Sequence, residues 1–351
     1  MRTTIPALLL PALLLRAMAA LVVWAPAVLP AQIQLTGAGA TFPYPMYSKW
    51  FDEYHKRHPD VQINYQSIGS GGGIRQVTEG TVDFGATDGP MTDAQLADFR
   101  SKRGTAILHF PTVLGAVVPV YNVPGVATGV RFTGDALAGI FLGTITKWSD
   151  VAIARANPGV RLPATDIVVV HRSDGSGTTY VWTDYLSKVS PAWQQRVGKN
   201  TSVNWPVGLG GSGNPGVAGL VKQTEGAIGY VELIYAVQNR IAYGAVRNAA
   251  GEFVNADLAS VSAAAAGAAA TMPDDFRVSI TNAPGRASYP ISSFTWLLVP
   301  ATIPDRAKHK ALVDFLKWML ADGQGMVEAL AYAKLPAPVI AREAKAIAGV
   351  K

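Results

Sequence analysis

The chain has 351 residues, of which 49% are hydrophobic and 15% are charged, and it contains no cysteine. This composition is that of a globular protein with a large core, and the length indicates two lobes rather than one. The lack of cysteine excludes disulfides, thiol nucleophiles, thiolate metal ligands and lipid attachment through cysteine. The formal charge of +6 is spread along the chain without a Lys/Arg-rich block, which argues against a nucleic-acid partner.

The first 31 residues have the pattern of a cleaved signal peptide. Arg2 gives a short basic start, residues 5–28 are almost continuously apolar, and small residues up to Ala31 offer a cleavage site before Gln32. A membrane anchor is the alternative, because the run is long enough to span a bilayer. Arg16 within the run favours removal, so we expect a soluble, monomeric, periplasmic mature protein.

Three segments share one pattern, in which an apolar strand leads through a Gly-, Ser- and Thr-rich turn into an amphipathic helix. The first turn is at residues 36–42 and predicts a helix from about Pro43 to Arg57. The second turn is at residues 69–73 and the third at residues 171–178. Strands that alternate with helices predict an α/β fold with largely parallel sheets. The turns then lie at the carboxyl ends of strands, where helix N-termini offer unpaired N–H donors to an anion.

Two other stretches indicate crossings between the lobes, at residues 109–113 and 289–294. They divide the mature chain into two predicted lobes. The first lobe combines residues 32–110 with residues 291–351, and the second lobe is residues 111–290.

Six segments occur together in a specific order, although each one alone is weak. They are TGAGATFP at 36–43, NYQSIGSGGGI at 64–74, VDFGATD at 82–88, HRSDGSGT at 171–178, WPVGLGG at 205–211 and GAIGYVE at 226–232. In this set the sequence closely resembles the periplasmic phosphate-binding proteins of phosphate ABC importers, the PstS-type substrate-binding proteins. The likeness covers essentially the whole mature chain. It implies a type II periplasmic-binding-protein fold, with two α/β lobes joined by a two-stranded hinge.

The resemblance also implies which residues contact phosphate. The implied ligands are Thr41, Phe42, Ser70 and Asp88 from the first lobe and Arg172, Ser176, Gly177 and Thr178 from the second, with Asp174 supporting the arginine. One departure from the family pattern is Gly71, where relatives often carry a second serine.

The chemistry of these residues agrees with a buried oxyanion. Each oxygen of such a ligand needs donors, and amides, hydroxyls and the planar fork of Arg172 can provide them with little net charge. Asp88 requires a ligand that carries its own proton. Phosphate near neutral pH carries one, whereas sulfate does not and would face like-charge repulsion.

Taken singly, several of these features have other interpretations. Asp88 alone would be read as a helix N-cap, because a helix is predicted near Asp93. Arg172 alone would be a surface partner of Asp174. Residues 208–213 match Gly-x-Gly-x-x-Gly but follow Trp-Pro rather than a clear buried strand, so we interpret them as a loop.

A transport receptor is the first function that the sequence predicts, with phosphate as ligand and no cofactor, metal or enzymatic activity. Its expected partners are the membrane permease subunits of an ABC importer with a cytoplasmic ATPase. An alternative ligand is another protonated tetrahedral oxyanion such as arsenate. An exported phosphatase is an alternative from another class, but it needs a nucleophile with a base or a metal cluster, and the sequence shows neither.

Overall fold

Strands and helices alternate around a mixed nine-stranded β-sheet in the computed structural model, which describes residues 32–351. The predicted signal peptide, residues 1–31, lies outside the described residues. The strands are β1 (Ile33–Gly39), β2 (Val61–Ser67), β3 (Phe84–Thr87), β4 (Ile107–Asn122), β5 (Arg131–Phe132), β6 (Val168–Arg172), β7 (Leu209–Gly211), β8 (Ala227–Glu232), β9 (Ala242–Tyr243), β10 (Ala245–Arg247), β11 (Phe253–Val254) and β12 (Ser292–Pro300).

The helices connect these strands and cover the sheet. They are α1 (Tyr44–Arg57), α2 (Ser70–Glu79), α3 (Asp93–Arg103), α4 (Gly134–Phe141), α5 (Val151–Ala154), α6 (Gly177–Val189), α7 (Pro191–Arg196), α8 (Gly213–Gln223), α9 (Leu233–Asn239), α10 (Leu258–Ala266), α11 (Ala268–Thr271), α12 (Arg306–Ala321) and α13 (Ala337–Ile347). No helix within residues 32–351 is long and apolar enough to cross a membrane.

The strand order across the large sheet is β2-β1-β3-β12-β4-β8-β6-β7, with β9 paired to β4. The pairs on the two flanks are parallel, namely β1 with β2 and β3, and β6 with β7 and β8. The centre is antiparallel, because β12 runs against both β3 and β4, and β4 runs against β8. The predicted α/β class is therefore confirmed, while the expectation of largely parallel pairing is wrong for the centre.

The long strand β4 joins the two parts of the sheet. It is 16 residues long and pairs with β12 from Ile107 to Ala116 and with β8 from Val117 to Asn122. Its residues are almost all buried, which fits the continuous apolar sequence of a strand covered on both faces. The predicted crossing at residues 109–113 lies within this single strand.

Two helices show the amphipathic pattern expected from the sequence. Helix α1 buries Tyr47, Phe51 and Tyr54, whereas Tyr44 at its start is 39% exposed. The predicted apolar stripe of α12 is buried as well, and it consists of Leu312, Phe315, Leu316, Met319 and Leu320. Apolar burial of this kind is the main favourable term that holds the helices on the sheet.

Candidate anion-binding site

Three helix N-termini from distant parts of the sequence converge at one place. Thr41 and Phe42 lie just before Pro43, the N-cap of α1, whereas Ser70 is the first residue of α2 and Gly177 is the first residue of α6. A Cβ atom on Gly177 would lie 2.5 Å from Asp88 Oδ2 and closer still to Ser70 Oγ, so the start of α6 is in direct contact with both residues. The structure thus brings site residues from both predicted lobes into contact.

The boundaries of these helices differ from the sequence predictions in a way that affects the site. Pro43 is the N-cap of α1 rather than its first helical residue. Residues 71–73 belong to the first turn of α2 rather than to a separate turn. A Cβ on Gly73 would lie 2.5 Å from Gly39 Cα, so this glycine serves the close packing of the helix on β1.

The amide groups at these N-termini are unpaired. Within residues 32–351, no backbone or side-chain acceptor is bonded to the N–H groups of Thr41, Phe42, Ser70, Gly177 and Thr178. The first N–H groups of a helix have no partner inside the helix, and the helix dipole adds partial positive charge there. Together these N–H groups form a set of donors suited to an anion.

Asp88 follows strand β3 and is the acceptor among these donors. It is 1% exposed, and its Oδ1 accepts a hydrogen bond from Thr295 Oγ1 at 2.8 Å. Its Oδ2 is buried and has no hydrogen-bond partner among the described residues. Burial raises the pKa of Asp88 to about 7, although the Thr295 hydrogen bond and the positive charge of Arg172 lower it. The N-cap of the next helix is Thr92, so Asp88 does not serve as that cap.

Arg172 lies at the end of β6, and its side chain is 1% exposed. Its Nε and Nη2 donate to the two carboxylate oxygens of Asp174 at 2.7 and 2.5 Å, and its Nη1 donates to Thr178 Oγ1 at 3.3 Å. Burial tends to raise the pKa of Asp174, but the hydrogen bonds and charge of Arg172 outweigh it and hold that pKa below its usual value. The ion pair between Arg172 and Asp174 is therefore mostly buried. It is not the surface ion pair that these two residues, taken alone, would suggest.

The two predicted serines are buried at helix starts. Ser70 Oγ accepts from the Asp88 N–H at 3.2 Å, and Ser176 Oγ caps α6 by accepting from the Thr179 N–H at 2.9 Å. Each oxygen is used as an acceptor, so each hydroxyl hydrogen is free to point toward a ligand. Gly71 donates its N–H to Gly175 O at 2.8 Å, and a Cβ on Gly71 would lie only 3.1 Å from Gly175 Cα. This contact gives a physical reason for glycine at position 71.

Asn214 donates hydrogen bonds to both Thr41 and Thr178 of the candidate site. It was not predicted from the sequence, because residues 208–213 were interpreted as a loop. Residues Leu209–Gly211 instead form β7, which pairs in parallel with β6, and α8 begins at Gly213. This is a fourth strand–turn–helix junction, and the Gly-x-Gly-x-x-Gly pattern was the available signal. The strand was not recognisable because it has three residues, and its Leu209 is 50% exposed at the sheet edge.

Thr295 and Tyr230 were also missed. Thr295 lies on β12 and bonds Asp88, and the Tyr230 hydroxyl on β8 accepts from the Arg172 N–H at 3.2 Å. Both residues lie within apolar strand patterns that carry no sign of a polar role. With unpaired N–H groups, hydroxyls, one guanidinium and one buried carboxyl, the site is typical of α/β binding proteins for a protonated oxyanion.

Comparisons with known proteins agree with this class. A sequence model described as the PBP superfamily domain matches residues 25–323. The phosphate-binding protein PstS of Xylella fastidiosa (strain Temecula1) is 48% identical over 305 residues, which cover 87% of this chain and 82% of that protein. PstS of Pasteurella multocida (strain Pm70) is 44% identical over 327 residues, with 93% of each chain covered.

Solved structures share the fold. An X-ray structure of a phosphate-binding protein from Stenotrophomonas maltophilia has a TM-score of 0.68 and 19% identity, and the match covers 89% of this chain and 93% of that one. The predicted type II periplasmic-binding-protein fold is confirmed. The chain belongs to the PBP superfamily and, within it, to the PstS family of phosphate-binding proteins.

Proposed function

We propose that this protein binds inorganic phosphate with high affinity in the periplasm and delivers it to an ABC-type importer. The observation that carries the proposal is Asp88 Oδ2, a buried acceptor without a partner, beside a group of unpaired N–H donors. Leaving such groups unsatisfied costs free energy, and a ligand with several acceptor oxygens and one O–H satisfies both kinds. Hydrogen phosphate has this combination, whereas sulfate lacks the proton. The names of the relatives support the same ligand.

The proposed ligand contacts are the residues implied by the family resemblance. Thr41, Phe42, Ser70 and Asp88 belong to the first proposed lobe, residues 32–110 with 291–351. Arg172, Ser176, Gly177 and Thr178 belong to the second proposed lobe, residues 111–290, with Asp174 holding the arginine. Closure of the lobes, by bending of the β4 and β12 pair, brings the two groups around the anion. The unpaired donors on both sides of the contact support this assignment.

The protein acts as a carrier and not as a catalyst in this proposal. Its relatives are named as binding proteins. The mature protein, after removal of the signal peptide, presents bound phosphate to the membrane permease subunits and needs no cofactor. Arsenate, which has the same shape and also carries a proton, is the alternative ligand that this site favours most.

Calorimetric titration of the mature protein with phosphate, sulfate and arsenate tests the proposal. At about pH 8.5, where a carboxyl group with a pKa of about 7 is ionised, we expect phosphate to bind at least about a thousandfold more tightly than sulfate, because sulfate leaves the Asp88 carboxylate unpaired and repelled. Asp88→Asn should reduce this preference by improving sulfate binding relative to phosphate. Asp184→Asn is the matched control, since Asp184 is another buried carboxylate but pairs with Lys188 and Lys199.

Two results would contradict the proposal. If Asp88→Asn leaves the ratio of phosphate affinity to sulfate affinity unchanged, the carboxyl group does not have the role assigned to it. Steady release of product from an aromatic phosphate ester, above the rate in buffer, would indicate a phosphatase instead of a binding protein.

A further inference from the structure

Thr41 is held by two residues that belong to the opposite proposed lobe. Asn214 donates to Thr41 Oγ1 through its backbone N–H at 3.1 Å and through Nδ2 at 2.8 Å. The Tyr235 hydroxyl donates to Thr41 O at 2.5 Å. Asn214 is completely buried, and Tyr235 is 6% exposed. The hydroxyl and the carbonyl of Thr41 are therefore both bonded by residues of the other proposed lobe.

We propose that Asn214 and Tyr235 are positioning residues that together clasp Thr41 when the lobes close, and so retain the bound anion. The inference rests on the proposed phosphate-binding function and extends it. Neither residue is a proposed ligand contact. They act through Thr41, whose unpaired N–H is the proposed donor to the ligand.

The side chain of Asn214 is fixed by partners on all sides. Its Oδ1 accepts from the Glu232 N–H at 2.9 Å, which determines the orientation of the amide. Its Nδ2 donates to Thr178 Oγ1 at 3.0 Å as well as to Thr41. Thr178 Oγ1 in turn accepts from Arg172. One buried amide thus links a first-lobe contact to two second-lobe contacts of the proposed site. Its bonds to Thr178 and Glu232 lie within the second proposed lobe, so only its bonds to Thr41 require the closed arrangement.

Tyr332 provides an internal comparison for Tyr235. Its hydroxyl donates to Phe42 O at 2.6 Å, one residue along from the carbonyl that Tyr235 contacts. Tyr332 and Phe42 both belong to the first proposed lobe, so their bond persists when the lobes separate. The Tyr235 bond crosses between lobes and is lost on opening. A bond present in both states stabilises both, whereas a bond present only in the closed state favours closure.

The experiment compares Tyr235→Phe with Tyr332→Phe, each of which removes one buried hydroxyl. For Tyr235→Phe we expect the dissociation rate of radiolabelled phosphate to rise roughly three- to tenfold, as for the loss of one hydrogen bond. The urea midpoint of the phosphate-free protein should stay at the wild-type value. For Tyr332→Phe we expect the reverse, a lower urea midpoint without phosphate and a smaller change in dissociation rate.

Asn214→Ala is a second variant, but it also leaves the Glu232 N–H without its partner and so lowers the stability of the fold. Combined with Tyr235→Phe it should show a non-additive effect on the dissociation rate, because both residues hold Thr41. An unchanged dissociation rate in Tyr235→Phe, or a loss of phosphate-free stability equal to that of Tyr332→Phe, overturns the clasp. Failure of the wild-type protein to bind phosphate would instead overturn the proposed function, so the two failures are distinguishable.

Discussion

Single residues in this protein derive their chemistry from what surrounds them. Asp88 has one oxygen bonded to Thr295 and one buried without a partner, so this second oxygen is a free acceptor when the carboxyl group is ionised. Arg172 has two of its nitrogens bonded to Asp174 and a third to Thr178, so its position is set before any ligand contact. Pre-ordered donors lose less conformational entropy when a ligand binds.

His109 on β4 supports the segment that carries Asp88. It is 3% exposed, and its Nε2 accepts a hydrogen bond from the Met91 N–H at 3.2 Å. Burial and the nearby positive charge of Arg277 lower the pKa of His109 to about 3, against a partial opposing effect of Asp275. The neutral imidazole is therefore the form that the folded protein accommodates.

We expect His109 to make the protein sensitive to acid. The unfolded chain has an ordinary histidine pKa of about 6.5 and takes up the proton first, so the stability contributed by neutral His109 is complete above that pH. It is lost progressively as the pH falls from about 6.5 towards 3. Urea unfolding at several pH values should show a steeper acid decline for the wild type than for His109→Gln. Parallel curves for the two proteins over this range would contradict the assignment.

At the scale of elements, the site is made from the beginnings of helices rather than from the side chains along them. The starts of α1, α2 and α6 contribute amide groups, and glycine permits their close approach. At Gly177 there is no space for a side chain beside Ser70 and Asp88.

Gly177→Ala should weaken phosphate binding at least about tenfold, because the added methyl group separates the start of α6 from Asp88. The substitution should not destabilise helix α6, since alanine is a better helix former than glycine. Gly219→Ala in α8 is the control, because a Cβ there would meet nothing within 4 Å. It should raise the free energy of unfolding by about 0.5–1 kcal/mol and leave phosphate affinity unchanged. Calorimetry and urea unfolding measure both effects, and equal phosphate affinity in the two variants would contradict the steric argument.

At the scale of the whole molecule, the surfaces through which the proposed lobes meet carry buried polar groups that have no hydrogen-bond partner. Asp88 Oδ2 and the unpaired amides lie on both sides of the contact, and Gly71 bonds Gly175 directly across it. Burying these groups without a partner is unfavourable, whereas water can satisfy them when the lobes separate. In the proposed mechanism, phosphate replaces that water and favours the closed arrangement.

We therefore expect phosphate to make the protein more compact. Small-angle X-ray scattering of the mature protein should show a smaller radius of gyration with saturating phosphate than without it. Sulfate at the same concentration should have little effect. Identical scattering with and without bound phosphate would contradict hinge closure as the mechanism of capture.

The sequence by itself determined the α/β class, the three strand–turn–helix junctions and the residues of the candidate site. These features depend on short-range patterns, in which apolar periodicity, glycine-rich turns and family segments are visible within about ten residues. The helix starts at Ser70 and Gly177 differ from the predicted turns by only a few positions.

Only the tertiary structure decided the antiparallel centre of the sheet, the short edge strand β7 and the contacts of Asn214 and Tyr235. Their partner Thr41 is separated from them by 173 and 194 residues. Local sequence cannot specify such contacts, because packing of the completed sheet decides which distant side chains meet and which direction each central strand takes.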